Sequence, residues 1–234
     1  MLKPYGPVLV VCAVEAECEA VARGVADGAM AGDVHVVAAG VGPAAAAART
    51  AFALAEGAAR SRPYALAVCA GIGGGFAHRG AGLGATVIAD ALVAADLGAT
   101  TPDGFASVSA LGFGTAEHLP PAALVREAAV ATGALTGAVL TVSTATGTQE
   151  RAEALRDRHP GALAEAMEGF GVAEAAAQHG VPALEIRTVS NAVGPRDRAA
   201  WRIPAALAAL TTAFARLTAC TADSGEGAES SPWT

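Results

Sequence analysis

The segment over residues 166–194, AMEGFGVAEAAAQHGVPALEIRTVSNAVG, carries one acid and one amide placed where they could do chemistry. Glu168 stands at the head of a predicted helix, and Asn191 at the far end of the apolar strand that follows. Open α/β sheets bind ligands at the carboxyl ends of their strands. A carboxylate and a carboxamide delivered there suit the two halves of a nucleoside, a sugar diol and a purine. A buried ionised acid needs partners, and vicinal ribose hydroxyls can each donate to it. Asn191 offers an NH₂ donor and a carbonyl acceptor. A 6-oxopurine shows two acceptors along its N7 edge, whereas adenine shows an acceptor and a donor. An ionised Asp would repel the 6-oxo group; Asn does not, and it can also pair with adenine. Asn191 has a plainer reading too, as a turn residue ahead of Gly194-Pro195.

Two further features invite a chemical reading. Glu15 and Glu17 lie just past the first apolar run. Acids there complement the dipole of a helix N-terminus; alternatively, one of them holds and deprotonates a water. The run Gly71-Ile72-Gly73-Gly74-Gly75 could bring backbone amides close to a ligand, or simply form a tight turn at the sheet edge. Its spacing does not match the GxGxxG dinucleotide fingerprint. His35 and His118 receive no role, since His35 alternates within a strand and His118 precedes Pro120-Pro121.

The elements that must position these residues follow from pattern and punctuation. Strands are expected over residues 8–14, 34–39, 66–70, 85–89, 92–95, 139–143 and 183–189, each short and apolar. Helices are expected over 15–24, 44–56 with Pro43 in the first turn, 120–132, 149–158, 169–179 closed by Gly180, and 203–218. Strands alternating with helices imply a three-layer α/β/α sandwich around a mostly parallel, mixed central sheet. Residues 1–218 are expected to form a single domain, and the Ser-, Gly- and Glu-rich residues 219–234 a disordered tail.

Composition narrows the class of function. A net charge of −7 and an aromatic content of 4% leave neither the basic patch nor the stacking platforms of a nucleic-acid binder. Cys12, Cys18, Cys69 and Cys220 form no CxxC pair, so neither a zinc site nor a disulfide framework is expected, and no metal or cofactor is called for. The apolar run over residues 8–14 is too short to span a bilayer and lacks a cleavage site, which points to a cytoplasmic chain that avoids membranes.

Four segments, VCAVEAE, AAGVGPAAAA, CAGIGGGF and AMEGFG with RTVSNAVG, resemble the superfamily of purine nucleoside phosphorylases and methylthioadenosine/S-adenosylhomocysteine nucleosidases. The similarity runs from about Val8 to Leu217. Within it, STATGTQERAEAL, AMEGFGVAEAA and SNAVGPRDRAAW are most similar to the futalosine hydrolases, which release hypoxanthine from futalosine on a route to menaquinone. The resemblance implies that Glu17 activates water and that Met167 and Glu168 meet the ribose. It puts Asn191 where adenosine-type nucleosidases have an Asp that helps protonate the base. That change agrees with hypoxanthine rather than adenine. Ile72, Gly73 and Thr148 are implied in substrate binding. Gly147 and Thr148 stand where the nucleosidases place an aromatic against the purine, so base stacking must come from elsewhere. Ile72 replaces a polar position of the phosphate-binding loop of the phosphorylases, which favours water as nucleophile. The 5′ arm of futalosine carries a benzoate, for which Arg196, Arg198 or Arg202 is a candidate partner beside Trp201; a solvated basic loop is the alternative. The expected partner is a small-molecule nucleoside, and the family implies a homo-oligomer. An adenine-type nucleosidase, a phosphorylase and a catalytically silent nucleoside-binding module remain the competing readings.

Overall fold

The computed structural model describes residues 2, 5–26 and 28–219. The expected tail, Ala219 apart, lies outside the described residues. Ten strands and six helices occur among them: β1 (Val8–Cys12), α1 (Glu15–Val25), β2 (Val34–Ala38), α2 (Pro43–Ala59), β3 (Leu66–Gly75), β4 (Thr86–Ala94), β5 (Gly98–Thr101), β6 (Gly104–Ser107), β7 (Glu117–His118), α3 (Ala122–Thr132), β8 (Leu135–Thr141), α4 (Gln149–Arg158), β9 (Ala162–Ala166), α5 (Gly169–Gln178), β10 (Ala183–Ala192) and α6 (Ile203–Thr218).

Eight strands form the central sheet, in the order β10-β4-β8-β9-β3-β1-β2 with β7 beside β4, and β10 also pairs with β3. The strands β3, β10, β4, β8 and β9 therefore close a ring, from which β1 and β2 extend. The pairs β1–β2, β1–β3, β3–β10, β4–β8 and β8–β9 are parallel; β4–β10, β3–β9 and β4–β7 are antiparallel. The sheet is thus mixed and mostly parallel, as the alternation of elements predicts.

Period-two alternation sorts the side chains of β1, β3 and β10 between cores on the two faces of the sheet. Val8, Val10, Cys12, Val68 and Ile186 pack with α1, α3 and α6 on one side, while Leu9, Val11, Ala67 and Cys69 pack with α2 and α5 on the other. Small residues let the helices on each side cross closely. A Cβ on Gly24 would collide with the Thr211 carbonyl of α6, and one on Gly171 with the Pro43 carbonyl of α2.

Two expectations need correction. Residues 71–75 are not a turn after a short strand: β3 runs straight through them to Gly75. Glycine is used there for space rather than for an unusual backbone angle, since none of the four has positive φ. A Cβ at Gly73 would lie 2.7 Å from the Glu165 carbonyl oxygen, and one at Gly75 would strike the Ala81 carbonyl. The two strands expected over 85–89 and 92–95 are one strand, β4, whose register against β8 shifts between Ala89 and Ala91. Strand β9 went unread because ALAEAM favours helix by residue type, yet it is buried throughout.

Candidate active site

The carboxyl ends of β1, β3, β9 and β10 meet at one cleft of about 620 Å³. Glu17, Ile72, Gly73, Met167, Glu168, Asn191 and Arg196 all line it. Thr148 does not: its hydroxyl caps α4 by accepting from Arg151 N at 3.2 Å, and Thr146, two residues earlier, faces the cleft instead.

Glu17 sits in the first turn of α1 and is only 3% exposed. Its Oε2 accepts from Ala13 N at 3.0 Å and Val14 N at 3.3 Å, while Oε1 accepts from Ile72 N at 2.9 Å. The first pair is the helix-capping arrangement expected of an acid at this position. The third bond pins the same carboxylate to β3. A side chain on Gly71 would overlap Glu17 Oε1, so the glycine is what lets the acid lie against the strand.

Glu168, the residue preceding α5, is 5% exposed. Oε1 accepts from Gly42 N at 3.1 Å and Oε2 from its neighbour Met167 N at 3.3 Å. Gly42 has φ of 99°, a conformation natural to glycine, and this turns its N–H towards the carboxylate. Sequence reasoning missed the group that anchors this corner. Arg187, 1% exposed on β10, reaches Glu168 Oε2 at 3.1 Å and Glu185 Oε1 at 2.8 Å, and also contacts Cys69 Sγ at 3.0 Å and Ile72 O at 3.3 Å. Burial opposes its charge, but the carboxylates of Glu185 and Glu168 outweigh it and hold the guanidinium protonated. Burial raises the Glu185 carboxyl against the pull of Arg187, and Glu185 Oε2 has no hydrogen-bond partner among the described residues. The alternating Glu185-Ile186-Arg187 of an otherwise apolar strand is the signal that marks this pair, because charges there must be matched.

Asn191 lies beyond a register shift in β10. Ser190 Oγ donates to Asn191 Oδ1 at 2.8 Å, with Gly73 O at 3.2 Å as its alternative acceptor. Asn191 Nδ2 donates to Ala192 O at 3.0 Å. Each amide atom retains capacity for one more bond. Glu165 on β9 is a second missed residue. It accepts from Thr146 N at 2.8 Å and from the Thr146 hydroxyl, and burial pushes its carboxyl upward against those bonds. At the outer wall, Arg196 N donates to Gly147 O at 3.3 Å, and the Arg196 guanidinium lies 5.5 Å from the centre of the Trp201 ring. Arg198 stacks on the same ring at 5.8 Å, and Arg202 bonds the Ala199 and Trp201 carbonyls; neither lines the cleft.

His118 pairs with Glu174 at 2.8 Å and tilts against Phe170, and His35 stacks on Tyr64; neither lines the cleft. Cys12, Cys18 and Cys69 carry free buried thiols, and no group of His, Cys, Asp and Glu suited to a metal ion occurs among the described residues. No helix among them is long and apolar enough to cross a membrane.

Residues 8–222 match the family model described as the phosphorylase superfamily. A futalosine hydrolase of Streptomyces coelicolor is 68% identical over 78% of this chain and 77% of its own. One from Acidothermus cellulolyticus is 46% identical over 94% and 93%. Among solved structures, the 5′-methylthioadenosine/S-adenosylhomocysteine nucleosidase of Neisseria meningitidis in complex with methylthio-immucillin-A superposes with a TM-score of 0.74, at 20% identity, over 90% of this chain and 97% of that one. That likeness is one of fold. The chain belongs to the phosphorylase superfamily, within which futalosine hydrolases are its relatives.

Proposed function

We propose that residues 1–218 act as one nucleosidase domain that hydrolyses the N-glycosidic bond of futalosine, releasing hypoxanthine and dehypoxanthine futalosine. The setting of this reading is menaquinone biosynthesis, in the cytoplasm, by a homo-oligomer. The observation that carries it is that Glu17, Glu168 and Asn191, separated along the chain, all line one cleft. The futalosine hydrolases at 68% and 46% identity support the choice of substrate.

Breaking the bond from the anomeric carbon to N9 leaves positive charge on the sugar and an electron pair on the base. Glu168 accepts from the ribose hydroxyls and sets a negative charge beside the developing cation, with Met167 packed at the sugar. Ile72 and Gly73 form the wall between sugar and base. A water held by Glu17 attacks the anomeric carbon and passes its proton to that carboxylate; a placed general base contributes roughly 10²–10⁴-fold. Asn191 donates to N7 or shares the 6-oxo edge, easing departure of the base, and solvent supplies the proton that the base takes up. Preorganised groups of this kind are often the largest catalytic term. Arg196, with Trp201 beside it, meets the benzoate of the 5′ arm.

The test is chromatographic detection of hypoxanthine after futalosine is added to the full chain in phosphate-free buffer. Release of hypoxanthine is the expected result. Release only with phosphate present would make the chain a phosphorylase, and release of adenine from aminofutalosine alone would make it an adenine-type nucleosidase.

A further inference from the structure

Gly74 of β3 is paired on both sides. Its partner on β10 is Asn191, and its partner on β9 is Glu165. Directly opposed residues of neighbouring strands present their side chains to the same face. The Asn191 amide and Val193 both lie over Gly74, since a Cβ added there would stand 3.3 Å from Asn191 Nδ2 and 2.9 Å from Val193 Cγ2. Glu165 and Asn191 thus flank Gly74, two strand spacings or about 10 Å apart at their backbones. Both line the cleft, together with Thr146. The result is a floor of Gly74 and Val193 with a carboxamide on one side and a carboxylate on the other, and a planar base is the ligand that such a floor suits.

We propose that Glu165 is a specificity-determining residue for the purine: it accepts a hydrogen bond from N1–H of a 6-oxopurine whose N7 edge faces Asn191. A carboxylate has about four acceptor sites, and Thr146 N and Oγ1 occupy two. The remaining sites suit a donor. Hypoxanthine carries a proton on N1; adenine has a lone pair there, which a carboxylate repels. Asn191 tolerates either base, so the decision between them falls to Glu165. The Thr146 bonds fix the carboxylate plane and tie it to the loop over residues 144–148. Glu165 is only 7% exposed, so an added donor also relieves an acid poorly served by water. This assignment rests on the base end of the cleft being the one described under the proposed function.

The test measures binding of the free bases, so that it stands apart from turnover. Affinities of hypoxanthine, adenine and 1-methylhypoxanthine for the full chain are read by calorimetry, for the wild type and for Glu165→Gln. The glutamine retains an oxygen for Thr146 N and a donor for the Thr146 hydroxyl. Wild type should favour hypoxanthine over both other bases by about 10–100-fold, the scale of one hydrogen bond to a charged group. Glu165→Gln should lose most of that preference and bind adenine no worse than wild type does. Equal weakening for all three bases in the variant would overturn the proposal and leave Glu165 as a support for the loop. Should the variant not fold, wild-type protein that binds 1-methylhypoxanthine as tightly as hypoxanthine would overturn it by itself. Failure of futalosine hydrolysis alongside a Glu165-dependent preference would overturn the reaction and keep the specificity assignment.

Discussion

Arg187 Nη2 lies 3.1 Å from Glu168 Oε2 with both side chains almost wholly out of solvent. The same guanidinium holds Glu185, which is fully buried. One cation is therefore shared by two carboxylates, and one of those, Glu168, lines the cleft. Arg187→Met should leave both acids without a counter-charge and cost about 3–5 kcal/mol in urea denaturation at neutral pH. Burial already raises the Glu185 carboxyl. A carboxyl with a raised folded pKa favours folding below its unfolded pKa and loses that contribution as pH rises through the folded value. Without Arg187 the folded pKa climbs further, so the deficit of the variant should shrink as pH falls. A deficit that stays constant with pH would show that the lost contacts, and not the charges, set the cost.

Glu17→Gln should lower turnover by roughly 10²–10⁴-fold while hypoxanthine binding changes little. The substitution is not innocent in this setting. Both oxygens of Glu17 accept backbone N–H groups, so an amide NH₂ must face at least one donor. A stability loss of about 1–3 kcal/mol is expected alongside. Turnover should therefore be compared at a temperature where denaturation curves show both proteins folded. Unchanged turnover there would remove Glu17 from the water-activating role.

Neighbouring glycines should respond differently. Gly75→Ala drives a methyl group into the Ala81 carbonyl and against Val189, and should lower stability by about 1–3 kcal/mol. Gly74→Ala meets Val193 Cγ2 at 2.9 Å and Asn191 Nδ2 at 3.3 Å, both on side chains that line the cleft. It should cost less stability than Gly75→Ala and weaken base binding by displacing Val193 and the Asn191 amide. Thermal melts paired with calorimetry separate the two outcomes.

The preference for hypoxanthine over adenine should depend on pH. Burial lifts the Glu165 carboxyl against the Thr146 bonds and Arg151, with Asp96 adding to the lift. Above its pKa the carboxylate accepts from N1–H. Below it the neutral acid can donate to N1 of adenine. Discrimination measured by calorimetry should accordingly narrow as pH is lowered through the raised value of the Glu165 carboxyl. A ratio that stays flat while Glu165 itself is seen to protonate, as followed by NMR titration of the folded protein, would set it aside as the discriminating group.

Much of the scaffold was legible in the chain because its signals are local. Pro43 opens α2, Gly180 follows α5, and α4 and α6 match their expected bounds. Glu17, Glu168 and Asn191 stood out as polar residues at the ends of apolar runs. What stayed hidden depends on pairing across the sheet. The glycines of β3 look like a turn until Glu165, Val189 and Ala81 are seen to fill the space their side chains would need. Glu165 itself sits in a segment whose residue types favour helix. Arg187 would be an implausible core residue until Glu168 and Glu185 are placed around it. Thr148 shows the reverse case, a residue suited to a ligand whose hydroxyl is spent on its own helix.

The closed circuit β3-β10-β4-β8-β9 gives each of the strands that carry Ile72, Glu165 and Asn191 a hydrogen-bonded neighbour on either flank. Such strands cannot peel from a free border one at a time. Their amides should exchange with deuterium only through openings close to the global unfolding event, while β2, at the open border, exchanges sooner. The floor of the cleft would then be among the last parts of the molecule to loosen, and the groups above it would keep their spacing through the fluctuations that move the loops.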